Sequence, residues 1–189
     1  MANKTSRFRS AVLLGVGALV VIVAVVLLRP DSHDPNFNSS DVMFAQMMLP
    51  HHLQAIAMSE MVTTPGRNAS LELQTLAQGI RTQQSHEVRA LQKLLRQWRA
   101  DADGGHHVGM MEGLLTDSQM GQLDSLRGAQ FDHEWALAMI RHHNGAIAMA
   151  KDVVATGVNK KVASLANDIV IAQKREIHTL RKIANASAN

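Results

Sequence analysis

FAQMMLPHHLQAIAMS (44–59) and WALAMIRHHNGAIAMA (135–150) are one stretch written twice. At an offset of 91, His51-His52 fall on His142-His143, Ala55-Ile56-Ala57-Met58 on Ala146-Ile147-Ala148-Met149, and Asp41 on Asp132. A second match, LAQGIRTQQSHEV (76–88) with LANDIVIAQKREI (165–177), runs at an offset of 89 and sets Gln84 on Gln173 and Glu87 on Glu176. The offsets differ by two residues, as a change in loop length would produce. Self-similarity at a fixed period marks a duplicated supersecondary unit.

Each unit reads as a helical hairpin, because its apolar residues recur at spacings of three and four. The first helix is expected over 41–62, ended by Thr63-Thr64-Pro65-Gly66, and its partner over 68–99, ended by Asp103-Gly104-Gly105. The third is expected over 130–155, turning at Thr156-Gly157, and the fourth over 159–186. In the connection, Thr116 or Asp117 caps a short helix that stops before Gly128. The domain so defined covers 41–187, with repeat one at 41–99, a connection at 100–129 and repeat two at 130–187. Two short-looped hairpins imply an all-α, antiparallel four-helix bundle.

The buried seams follow from the same spacing. Helix one presents Phe44, Met47, His51, Ala55, Met58 and Val62; helix three presents Trp135, Ala138, His142, Ala146, Met149 and Val153. Helix two contributes Leu73, Leu76, Ile80, Gln83 or Gln84, Glu87, Leu91 and Leu94, and helix four Val162, Leu165, Ile169, Ala172 or Gln173, Glu176, Leu180 and Ile183. Every stripe is apolar except at one place, a histidine on helices one and three and a glutamate on two and four. Burying an imidazole or carboxylate costs several kcal/mol, on the order of 3–5 when a partner is missing, so these groups need partners. Counting helical rise from the hairpin turn pairs His142 with Glu176 and, by the repeat, His51 with Glu87.

The candidate metal set is His51, His52, His142 and His143, with Met47, Met48, Met58, Met139 and Met149 as thioethers and Glu87 and Glu176 as oxygen ligands or anchors. Imidazole with thioether suits Cu(I), and imidazole with carboxylate suits Cu(II), Zn or Fe. The competing reading is structural: methionine fills irregular cores readily, and a His–Glu pair can be a core hydrogen bond. Pro50 is expected to kink helix one beside the first His pair. His106-His107 with Met110-Met111 read as a solvated Gly-rich loop, an accessory copper site being the alternative, and His33, His86, His133 and His178 read as surface residues.

The 189 residues suffice for one well-buried domain with an extension. Four of the 19 basic residues, Lys4, Arg7, Arg9 and Arg29, flank an uncharged stretch at 10–28, leaving 15 against 16 acidic ones in the remainder. With two Trp and no Tyr, that near-neutral domain lacks the basic stripe and stacking platform of a nucleic-acid binder. Cysteine is absent, which excludes disulfides and thiolate ligands. The apolar stretch would span about 28 Å as a helix, close to the ~30 Å hydrocarbon core. It lacks a small-x-small cleavage site and carries three basic residues before it against one after, so residues 1–29 read as an uncleaved signal anchor with the domain outside the cytoplasm. Cleavage would instead release a secreted protein. Residues 30–40, with two prolines, read as a tether.

From Phe131-Asp132 through Met139-Ile140-Arg141-His142-His143-Asn144-Gly145-Ala146-Ile147-Ala148-Met149-Ala150, the chain resembles the domain of unknown function 305 family. The resemblance covers roughly 41–185, with both His-His helices, Gln84/Glu87 and Gln173/Glu176, and Gly109-Met110-Met111. It implies a ferritin-like fold, export, and copper binding or tolerance of the kind associated with some members. Pro50 departs from the second copy, where Ile140-Arg141 leads into the His pair. No Glu-x-x-His motif is present, as a ferritin-like di-iron oxidase would need. The expectation is therefore a membrane-anchored copper-binding protein that is not an enzyme, with a structural or protein-interaction bundle as the alternative and a metal-dependent oxidoreductase behind both.

Overall fold

The computed structural model describes residues 36–102 and 111–188. The segment read as a signal anchor and the His106-His107 loop lie outside the described residues. Within them are five helices and no strand: α1 Ser39–Val62, α2 Leu71–Trp98, α3 Asp117–Ser125, α4 Gly128–Thr156 and α5 Lys160–Ser187. No helix among the described residues is long and apolar enough to cross a membrane.

Local chemistry sets the helix ends. Asn38 and Asp41 form a capping box that starts α1 two residues ahead of the expected position. Asn68 takes a left-handed φ of 56°, so α2 starts instead behind Ser70, whose side chain accepts from Leu73 N–H. Thr116 and Gln119 make a second capping box on α3, and Asn159 accepts from the Lys161 and Val162 amides at the start of α5. Pro50 removes one amide donor, yet α1 continues through it.

The hairpins α1–α2 and α4–α5 meet along α1 and α4, while α2 and α5 touch more lightly. Asp41, at the start of α1, accepts from the Val158 and Asn159 amides in the α4–α5 turn at 3.1 Å each. Asp132, its counterpart on α4, accepts from the Ser70 amide in the α1–α2 turn at 2.9 Å. Each repeat thus ties down the turn of the other, and α1 and α4 must run antiparallel. Both carboxylates are buried, where such charge-assisted bonds are strongest.

Arg67, 1% exposed, adds a link that spacing did not reveal. Its guanidinium donates to the carbonyls of Met61, Asp124 and Leu126, pairs with the Asp124 carboxylate, and lies 4.5 Å over the Phe131 ring. That fan of donors joins the α1–α2 turn to the α3–α4 junction.

Two apolar clusters fill the bundle. One gathers Met58, Leu73, Ile80, Phe131, Trp135, Met139 and Leu180; the other gathers Phe44, Met48, Leu91, Ala146, Val162 and Ile169. Trp135 is fully buried in the first, with its indole N–H donating to the Met58 carbonyl at 2.8 Å. On every long helix the polar interruption falls between the two clusters, so the histidines, glutamates and mid-helix glutamines form one layer midway along the bundle.

Candidate metal centre

The seam spacing brings His51 on α1 and His142 on α4 into contact where the hairpins meet, with ring centroids 3.8 Å apart and planes tilted by 44°. The next residues round the helices turn outward to the partner helices. His52 Nε2 lies 2.8 Å from Glu87 Oε2, and His143 Nε2 lies 2.7 Å from Glu176 Oε2. This corrects the expected pairs His51–Glu87 and His142–Glu176. A helical residue sits about 100° round from its predecessor: the first histidine of each pair faces the opposite hairpin, leaving the second for the glutamate of its own. The result is a belt across the bundle in the order Glu87, His52, His51, His142, His143, Glu176.

All four imidazoles are fully buried, while the glutamate side chains are 10% and 14% exposed. At one end of the belt, Glu176 lines a groove of about 680 Å³ between α2 and α5, together with Leu76, Ile80 and Gln83. Gln83 also donates to Glu87 Oε1 at 3.1 Å. Burial, with the neighbouring His52 next in importance, pushes His51 down from its ordinary 6.5 to about 3. Burial, then His51, holds His142 well below the usual imidazole range. Both central rings are therefore neutral at physiological pH, the state in which imidazole binds metal.

The proton positions follow from the acceptors. His51 Nε2 faces the Glu112 carbonyl at 3.3 Å and His143 Nε2 faces a carboxylate oxygen; neither oxygen can donate, so both Nε2 atoms carry the hydrogen. His52 Nε2 contacts Glu87 in the same sense, without the alignment of a hydrogen bond. The Nδ1 atoms of His51, His52 and His143 are buried with no hydrogen-bond partner, as are both ring nitrogens of His142. An imidazole anchored at one nitrogen and free at the other is the usual arrangement of a metal ligand with its outer support. Buried lone pairs left unpaired cost about 1–3 kcal/mol each, so this donor set fits a metal ion. Among the described residues, no three His, Asp or Glu side chains converge as a preformed cage. A site would consist of one or two imidazoles with thioether help, which favours a soft, low-coordinate ion.

The methionines divide. Met48, Met58 and Met139 are fully buried within the apolar clusters on either side of the belt. Met47 and Met149 are only half-buried and line a cleft of about 340 Å³ between α1 and α4, with Met43, Phe44, Glu112 and Asp152. Met43 is absent from the set read from the sequence, although its position one helical turn before Met47 was a signal that could have found it. Sequence reasoning also gave no role to Gln84 and Gln173, both 2% exposed with their amide groups unpartnered in the same layer. Their matched position in the two repeats was the available signal. His133, read as surface, is half-buried and bonded through Nδ1 to the Ala184 carbonyl at 2.8 Å.

These features describe a duplicated helical bundle with a buried imidazole belt. The chain belongs to the DUF305 family, "Domain of unknown function (DUF305)", whose model matches residues 41–184. Among solved structures it is similar to a DUF305 protein from Streptomyces coelicolor named as a candidate secreted protein, at 29% identity and a TM-score of 0.74, covering 79% of this chain and 94% of that one. A DUF305 fragment from Deinococcus radiodurans matches at 27% identity and a TM-score of 0.72, covering 80% and 99%. CopM in its Cu(I)-bound form matches at 28% identity and a TM-score of 0.63, covering 75% and 93%. No curated protein matches the sequence.

Proposed function

We propose that this chain binds copper outside the cytoplasm, held at the membrane by its N-terminal apolar segment, and sequesters or passes on the ion through the His/Met seam. The observation that carries this reading is the set of buried, unpartnered ring nitrogens on His51, His52, His142 and His143, three of them on rings anchored at the opposite nitrogen. Imidazoles flanked by thioethers, in a chain without thiols, suit Cu(I) above Zn or Fe. Support from relatives is of two kinds: CopM has been solved in Cu(I)-bound, Cu(II)-bound and Ag-bound forms, and the Streptomyces protein's name points to export. We read the role as binding rather than catalysis, in keeping with the absence of Glu-x-x-His motifs.

The second reading is a structural or interaction bundle with no metal, favoured by the lack of a three-ligand His/Asp/Glu cage among the described residues. Thermal melts of the full chain with Cu(I), Cu(II) or Zn(II), repeated on a variant with all four histidines changed to alanine, separate the two. An ion that binds the folded form selectively must raise its melting temperature. A copper-selective rise lost in the variant supports the first reading. No shift with any metal gives precedence to the second.

A further inference from the structure

Residues 111–115 cross the belt and meet its two halves differently. This segment passes over α1 and α4, hydrogen-bonded to the first and in close backbone approach to the second. On α1, the Gln54 amide donates to the Leu115 carbonyl and accepts from the Leu115 amide, both at 2.8 Å. On α4, Gly145 leaves the space the segment needs: a Cβ there would sit 1.9 Å from the Glu112 carbonyl oxygen. Gln54 and Gly145 are the same position in the two repeats, at the offset of 91, and they differ inside the best-matched stretch of the chain. A single strap can be gripped on one helix and admitted by the other only if the repeats diverge there. The strap also sets the Glu112 carbonyl on His51 Nε2. His142, the counterpart of His51, takes nothing from the strap: the backbone group beside its ring is the His51 carbonyl, which is not aligned for a hydrogen bond.

We propose that Gln54 and Gly145 are positioning residues for the belt, holding the strap so that the Glu112 carbonyl keeps the His51 proton on Nε2 and commits Nδ1 as the ligating atom. Asymmetry between the two central histidines is the consequence: the strap defines the lone pair that His51 offers and leaves that of His142 undefined. The ligation half of this inference rests on the copper reading above; the proton position does not, and can be read without metal.

The test is the tautomer of His51 in the metal-free full chain, from imidazole nitrogen shifts in two-dimensional NMR, followed by the rate at which a chelator strips Cu(I). The variants are Gly145→Ala, which drives a methyl into the strap, and Gln54→Leu, which removes both hydrogen bonds without a clash. Gly79→Ala is the control, because a Cβ on this α2 glycine meets nothing within 4 Å. Wild type and the control should show the Nε2–H form of His51. Both strap variants should lose that preference while remaining helical and should release Cu(I) roughly 10-fold faster or more, as loss of an outer support for a ligand does. Should Gly145→Ala fail to fold, Gln54→Leu decides. An Nδ1–H tautomer in wild type, or an unchanged tautomer in a folded strap variant, overturns the proposal. Tautomer changes as expected in a protein that takes up no Cu(I) would uphold the positioning and sink the copper reading alone.

Discussion

The two repeats share one helix plan and one His-His motif yet end with different neighbours, and the contrast is plainest at their turns. In repeat one, the hairpin turn is anchored by its own Arg67, buried beneath the α3–α4 junction. At the matching position in repeat two stands Val158, 57% exposed, and that turn is held from outside by Asp41. Duplication reproduces what a helix needs from its own residues. It does not reproduce what the single connection between the repeats does to each of them.

The sharpest break of this comparison is at the turns. Arg67→Ala should cost about 2–4 kcal/mol in urea unfolding, since it strands three carbonyls around an emptied site while the exposed Asp124 carboxylate rehydrates, whereas Val158→Ala should stay within about 0.5 kcal/mol. Comparable costs would mean the turns are anchored alike. Next come the reciprocal carboxylates. Asp41 accepts from Asn38 as well as from the α4–α5 turn, while Asp132 accepts at one oxygen and its other is unpartnered. Asp41→Ala should therefore destabilise by roughly 2–3 kcal/mol and Asp132→Ala by about 1–2, and a reversed order in chemical melts would contradict the asymmetry. A smaller effect tests where the repeats were made unlike by choice of aromatic residue: Trp135→Phe, which restores the Phe44 pattern, loses one hydrogen bond and part of a buried ring, for about 1–2 kcal/mol.

Acidity probes what the repeats share. His51 and His142 are held neutral in the fold and titrate near 6.5 once unfolded. Below that value the unfolded chain takes up protons the folded chain refuses, so stability falls as pH drops from about 6.5 toward the folded value of about 3 for His51. Metal-free melts at descending pH should show this decline. Changing either central histidine to glutamine should remove part of the slope and leave the rest, with the double change flattening it further. A slope untouched by both changes would place the acid sensitivity elsewhere.

Helix number, the hairpin arrangement and the level of the polar layer were legible in the chain, because 3–4 spacing of apolar residues and two copies of one motif determine which faces must be buried. Which histidine of each pair meets which partner was not. His51 and His52 differ by one step round the helix, and only the placement of α4 against α1 decides which of them faces the other hairpin. The strap was equally hidden: Gln54 and Gly145 read as an unremarked mismatch until the connection is seen lying over both. Arg67 resembles any surface arginine in sequence, its burial being set by three carbonyls that converge from 55–60 residues away or from the end of α1. Local periodicity, capping groups and duplication are short-range properties of the chain and specify the bundle and its polar belt. The ring nitrogens left free for a ligand, and the neighbours that hold the others, depend on contacts between segments far apart in sequence, which exist only once the helices have packed.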